Sequence, residues 1–189
     1  MESLVLKSSR LYLHPIRPSD SQAIQKSAGK REIADTMISI PYPYPPGEAE
    51  RYVHRKRIEQ KKSLSVTFVI REKLESHFCG VVEIREIDRE HYQAELSFWL
   101  DLKVWGRGYM SESIHSVLRY AFEDLGLNRL YAYHMVRNPA TGRVLEKNGF
   151  SREGILRQRV MKWGKFEDVA LWAILSQDWF ELPFSLSGK

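Results

Sequence analysis

The sequence predicts an α/β domain of the α+β kind, in which one mixed, mostly antiparallel sheet is packed against helices. Three observations carry that prediction. Between Leu64 and Leu100, three strand-like runs follow one another across short polar breaks, as neighbouring antiparallel strands do. From Met110 to Leu125 the apolar positions move to helical spacing. After Gly126 the order is strand, helix, strand, strand, with no repeat and no composition break to mark a second domain, so residues 1–189 are read as one unit.

Taken along the chain, Leu4 to Ile16 alternates imperfectly and ends near Pro15 and Pro18, which suits a first strand or hairpin. Pro18-Ser19-Asp20 before Ala23-Ile24 resembles a helix start, with Ser19 or Asp20 able to cap free amides. Ile40-Pro41-Tyr42-Pro43-Tyr44-Pro45-Pro46 is a stiff aromatic loop, because each proline disfavours helical geometry just before it. A helix is expected over Gly47–Gln60, then strands over Leu64–Ile70, Cys79–Ile87 and Tyr92–Leu100. Met110, Ile114, Val117, Leu118, Ala121, Phe122 and Leu125 form one helical face that Gly126 stops. Leu130–Val136 reads as a strand, Ala140–Asn148 as a short helix ended by Gly149, and Phe150–Leu156 and Asp168–Leu175 as the closing strands.

Composition sets the class. At 189 residues, with a hydrophobic fraction of 43% and a charged fraction of 28%, the chain can bury a core without staples. A single cysteine, Cys79, rules out an internal disulfide and a Cys-based zinc site, and a reducing compartment is the expectation. No apolar run approaches the roughly 20 residues of a membrane span, and Met1–Leu4 carries no charged-then-apolar leader. A cytoplasmic protein is expected. The net charge of +5, from 29 basic and 24 acidic residues, favours anionic partners without choosing among nucleic acid, acidic polypeptide and a polyphosphate cofactor. The densest basic stretch, Arg51 to Lys62, is read first as the solvated face of a helix.

The chemistry concentrates at Trp105-Gly106-Arg107-Gly108, between a strand and a strong helix. A helix N-terminus leaves backbone N–H groups unpaired and carries partial positive charge. Glycines there let the backbone approach a ligand closely, and Arg107 adds a full charge, so the turn suits a diphosphate. A dinucleotide fingerprint would need a third glycine where this chain has Ser111, and a nucleotide-hydrolase loop would need a Gly-Lys-Ser/Thr ending that is absent.

A second segment, Asn138-Pro139-Ala140-Thr141-Gly142-Arg143-Val144-Leu145-Glu146-Lys147-Asn148-Gly149-Phe150, opens another helix after a strand. With Ala94-Glu95, Trp99-Leu100 and Trp105 to Tyr109, it resembles the ordered motifs of the GNAT superfamily of acetyl-CoA-dependent N-acetyltransferases, in its RimJ/RimL-like branch. The resemblance runs from Leu4 to Trp179. It implies a sheet whose central pair of parallel strands, here Tyr92–Leu100 and Leu130–Val136, splays apart to admit the pantetheine arm of acetyl-CoA. By the same resemblance, backbone groups of Leu100 and Leu102 pair with that arm, the amides of Gly106, Arg107, Gly108, Tyr109, Met110 and Ser111 hold the diphosphate, Asn138 contacts the cofactor near its thiol, and Arg143 and Lys147 face its adenosine phosphates or solvent. No metal is implied.

The implied reaction is direct attack of an uncharged amine on the thioester. Many family members supply a tyrosine acid where this chain has Leu145, so Thr141 becomes the candidate acid; its hydroxyl equally suits a helix cap. Glu95 is the candidate base, with burial raising its pKa, and a structural carboxylate paired to an arginine is its other reading. His134 is the runner-up. RimL-like proteins carry a further carboxylate where this chain has Val160. Substrate recognition falls to the Ile40–Pro46 loop, the Gly47–Gln60 helix and the Trp163-Gly164-Lys165-Phe166 turn. The expected acceptor is a protein N-terminal amine, of the ribosomal-protein type, with a small amine or an amine-bearing antibiotic as the alternative. From another class comes a non-catalytic cofactor sensor or nucleic-acid module using Arg51–Lys62. No membrane partner is expected and nucleic acid is disfavoured; the aromatic loop leaves room for a homodimer contact.

Overall fold

A computed structural model describes residues 4–182. The chain opens with a hairpin of β1 (Leu6–Lys7) and β2 (Leu11–Pro15), followed by α1 (Ser21–Ala28), α2 (Arg31–Thr36) and α3 (Glu48–Lys61). A meander of β3 (Val66–Glu72), β4 (Phe78–Asp88) and β5 (Gln93–Leu100) leads into α4 (Tyr109–Arg119). Then come β6 (Arg129–Met135), α5 (Pro139–Lys147), a hairpin of β7 (Ser151–Lys162) and β8 (Lys165–Leu175), and α6 (Ser176–Glu181). All eight strands join one sheet in the order β1-β2-β3-β4-β5-β6-β8-β7. Among the described residues, no helix is long and apolar enough to cross a membrane.

Strand parity decides which helices cover which face. Phe68, Ile70, Val82, Ile84, Ala94 and Leu96 form the main core with Ile114 and Leu118 of α4 and Leu145 of α5. The alternate residues Val69 and Val81 pack with Ile24 of α1 and with Ala49 and Val53 of α3. Each fully buried aliphatic side chain contributes about 1.5–3 kcal/mol relative to exposure, so the two clusters fix α4 and α5 to one face and α1 and α3 to the other.

Every neighbouring pair of strands is antiparallel except β5 and β6, which run parallel. That pair is joined only at Gln93–Arg129, Ala94–Leu130 and Glu95–Tyr131. Beyond it, β5 stays bonded to β4 as far as Leu100, and β6 stays bonded to β8 as far as Met135. The two strands therefore diverge, and their facing edges lose strand partners over the second half of β5.

Several local expectations change. Leu4–Ile16 is a hairpin. Asp20 does not cap α1: its carboxylate accepts from the Arg17 backbone N–H at 2.8 Å and from Arg71 at 2.7 Å, which ties the segment before α1 to β3. The helix from Tyr109 ends in a wider turn over Tyr120–Asp124, with Leu125 N–H donating to Tyr120 O, before Gly126 at φ +65°. Strand β7 extends past Leu156 to Lys162, because a register shift between Leu156 and Val160 breaks the alternation and resumes pairing. Gln158 sits in that shift with φ +51°, its N–H donating to Asp168 at 2.8 Å.

Candidate functional site

A cleft of about 400 Å³ opens where β5 and β6 diverge. Phe98, Trp99 and Leu100 of β5, the turn before α4 and the first turns of α4 and α5 line it, with Thr36 and Met37 at the far side. Of the site residues expected from sequence, Leu100, Gly106, Gly108, Tyr109, Met110, Ser111, Asn138, Thr141 and Arg143 meet in this cleft, with Lys147 beside them.

The turn is built for close approach. Gly106 and Gly108 sit at φ +75° and +76°, a left-handed geometry that a side chain resists, and a Cβ on Gly106 would meet nothing within 4 Å. Gly108 is the N-cap of α4, so the first amides of that helix lack intrahelical acceptors and point toward the cleft mouth. Trp105 fastens the turn by donating its indole N–H to Leu100 O at 2.9 Å.

A clasp that the sequence reading missed holds the turn from behind. Arg10 bonds Glu112 of α4 through Nε at 2.8 Å and donates from a second guanidinium nitrogen to Arg107 O at 3.1 Å. Its backbone N–H and the Ser8 hydroxyl also reach Glu112, at 2.6 and 2.7 Å. The guanidinium lies 4.6 Å from the centre of the Tyr109 ring, whose hydroxyl donates to Glu72.

Not every expected residue reaches the cleft. The Arg107 side chain is exposed and outside the lining, so the turn presents its backbone there. Leu102 packs beside Ile33 and Ile40 in a small core under α2, and its carbonyl accepts the Trp105 N–H at 3.2 Å. Arg107 thus faces solvent and Leu102 answers to local packing rather than to the gap between strands.

At the opposite wall, Asn138 does not cap α5 through its side chain. Its Nδ2 donates to Thr141 Oγ1 at 2.9 Å, which leaves the Thr141 hydroxyl proton free to be donated. Leu145 is fully buried in the main core, so its position offers the cleft no proton donor. Gly142 rests on His134: a Cβ there would stand 3.1 Å from His134 Nε2 and 3.3 Å from the Trp172 ring. His134 Nδ1 lies 2.9 Å from Met135 O, and Nε2 accepts from Trp172 Nε1 at 3.0 Å. Nδ1 therefore carries the proton, and burial lowers the pKa. Both nitrogens are occupied, which makes this histidine a strut for α5.

Glu95 lies on the face carrying Ser97 and Trp99 and lines no part of the cleft. Burial raises its pKa while an Arg85 guanidinium nitrogen at 2.5 Å opposes that rise. The raised pKa and the arginine partner expected as alternatives are thus both present. Val160 stands opposite Glu167 in the β7–β8 register, and Arg137 holds that carboxylate at 3.1 Å while also bonding Asp35 of α2 at 3.0 Å. Buried Lys162 donates to Met37 O and Ile40 O at 2.7 Å, and so fixes the loop after α2.

A second cavity of about 130 Å³ adjoins the first, and the two share Met37 and Trp99. Tyr44, Tyr52, Glu83, Arg85 and Ser97 are among its walls. The site therefore has two neighbouring parts: a cleft bounded by a glycine turn and two helix N-termini, and a polar-aromatic pocket on the other side of Met37 and Trp99. Among the described residues, no group of three or more His, Cys, Asp or Glu side chains is placed to hold a metal ion.

Comparison with known proteins agrees with that geometry. Residues 10–151 match the family model described as an acetyltransferase (GNAT) domain. A Bacillus subtilis protein described as a probable N-acetyltransferase, YjcK, is 31% identical over 180 residues, covering 92% of this chain and 98% of its own. The Escherichia coli ribosomal-protein-serine acetyltransferase is 29% identical over 99 residues, 52% of this chain and 55% of its own. The crystal structure of a Vibrio cholerae spermidine N-acetyltransferase, in complex with CoA and spermine, superposes with a TM-score of 0.81 at 25% identity, over 91% of this chain and 99% of that one. The chain belongs to the GNAT family and is an N-acetyltransferase.

Proposed function

We propose that this enzyme transfers the acetyl group of acetyl-CoA directly to the N-terminal amine of a protein. The observation that carries the reading is the cleft between the diverging strands, which ends on the Gly106–Ser111 turn. An extended, amide-rich pantetheine arm suits an unpaired strand edge, and a diphosphate suits the glycine turn and the α4 N-terminus. The relative solved with CoA supports this cofactor, and the relative that acetylates ribosomal-protein serine supports the acceptor.

In this reading the amine nitrogen attacks the thioester carbonyl carbon, the carbon–sulfur bond breaks, and CoA leaves as a thiolate. The Thr141 hydroxyl, its oxygen held by Asn138, passes a proton to that sulfur while taking one from solvent in the cleft, so that the thiol leaves and the hydroxyl is restored. The amine proton passes through water to Glu95, the candidate base. Arg85 keeps that carboxylate oriented.

Acetyl-CoA at one hundred times its Kd should stabilise the fold by about 2.7 kcal/mol. An unfolding curve indifferent to saturating acetyl-CoA would sink the whole proposal. Thiol release should then be faster with peptides bearing a free N-terminal amine than with a panel of small amines, and turnover of small amines alone would remove the protein acceptor. Glu95→Gln should lower turnover and leave acetyl-CoA affinity in place; an unaltered pH–rate profile would remove Glu95 as the base.

A further inference from the structure

One charge pair in the second cavity has no part in the transfer chemistry. Helix α3 carries Arg51, Arg57 and Lys61 on its exposed side, whereas Lys56 turns inward and is only 9% exposed. Its ammonium lies 2.5 Å from Glu83 Oε1 on β4 and 2.7 Å from Glu59 Oε2 one turn along α3. Glu83 is 6% exposed and lines the cavity. Its Oε1 is therefore taken up by the Lys56 ammonium, which Glu59 holds from the other side. Thr67, opposite Glu83 in the β3–β4 register, has an unpartnered hydroxyl oxygen.

The cavity thus contains a buried carboxylate whose charge is already met by a lysine of the protein. Beyond Lys56 and its two carboxylates, the charged walls are Glu48, Arg55 and Arg85, and Arg85 is matched by Glu95, so no unpaired anion is left over for a second ammonium. An acceptor with one amine and no further charge fits such walls. A polyamine does not, since its non-reacting ammonium groups need surplus buried anions, and a like charge close to Lys56 is repelled in a low-dielectric pocket. Resting on the acetyl-transfer reading above, we infer that Lys56 is a specificity-determining residue of the acceptor pocket: by occupying Glu83 it excludes polyamines and admits monoamine acceptors. A spermidine acetyltransferase shares this fold, so the cut between acceptor classes falls on side chains rather than on architecture.

The test uses the full chain with CoA present and spermidine as the probe, with binding read by calorimetry. The wild-type protein should bind spermidine weakly, and Lys56→Gln should bind it at least about tenfold more tightly, because the ligand's ammonium then takes the place of the lysine's. Adding Glu83→Gln to that variant should abolish the gain. Equal spermidine affinity in the wild-type protein and Lys56→Gln overturns the inference. Where Lys56→Gln is poorly folded, Lys56→Met keeps the packed stem, and spermidine should raise its melting temperature; no rise counts against the inference. The wild-type chain decides the matter without any variant: spermidine acetylated as readily as an N-terminal peptide overturns it. Because the comparison is read from binding, a failure of acetyl-CoA to stabilise the protein would count separately, against the transfer reading alone.

Discussion

Gly142→Ala sets two known magnitudes against each other. Alanine is favoured over glycine inside a helix by about 0.8–1.0 kcal/mol, and Gly142 lies within α5. Against that, its new Cβ would stand 3.1 Å from His134 Nε2 and 3.3 Å from Trp172 Cζ2. Neither ring can give way freely, because His134 is held at both nitrogens and Trp172 is one of its partners. Crowding a packed core costs about 1–3 kcal/mol, so the net expectation is a loss of up to about 2 kcal/mol. Helix α5 would relieve the contact by lifting off the sheet, taking Asn138 and Thr141 with it. Urea unfolding should therefore show lower stability, and titration with acetyl-CoA should show weaker binding. Trimming the strut with His134→Ser in the Gly142→Ala background should recover part of the binding. A variant stabilised by the full helix-propensity gain, with unchanged acetyl-CoA affinity, would refute the idea that His134 is a rigid support for α5.

Three further outcomes follow from the site. Gly106→Ala meets no atom within 4 Å but must adopt φ +75°, so stability should fall by only about 1–2 kcal/mol while acetyl-CoA affinity drops steeply; equal affinity by calorimetry would remove the turn as the diphosphate seat. Arg10→Ala breaks a half-exposed ion pair with Glu112, so stability should change by less than about 1 kcal/mol, yet the loosened turn should bind acetyl-CoA more weakly; an intact affinity would show that the clasp is dispensable. Burial holds the His134 pKa below its ordinary value of 6.5, so unfolding takes up a proton once the pH drops below that value. Stability should be full above about pH 6.5 and decline as the pH falls through the folded value. His14 and His115 shift in the same direction. Urea midpoints across that range should show a shallower decline in His134→Gln, and an unchanged slope would point to the other histidines.

The parts legible in the sequence were those written in local periodicity. The β3–β5 meander, the apolar face of α4 and the Gly106–Gly108 turn each announce themselves within a few residues, whereas the other cleft-lining residues were named through the family resemblance. Helices α2 and α6 have six residues each, too few for a period to stand out. Strand β7 was cut short because the irregular stretch around Gln158 hides its second half. Arg10 was invisible for a different reason: it lies 97 residues from the carbonyl it holds, and nothing near it in sequence hints at that partner. Two residues could have been read more closely. Alternation along β5 already puts Glu95 with Ser97 and Trp99, away from Ala94 and Leu96. Ala49, Val53 and Lys56 share the spacing of one helical face, so the inward lysine was marked among its solvated neighbours.

The short parallel seam of β5 and β6 makes the sheet a pair of tongs. Three residue pairs form the pivot; five strands swing with one arm and three with the other. In such a device a small change at the pivot is magnified at the tips, so the width of the opening is governed by side chains far from anything that enters it. Ala94 and Leu130, paired at the pivot and both buried, set the spacing from which the two arms part.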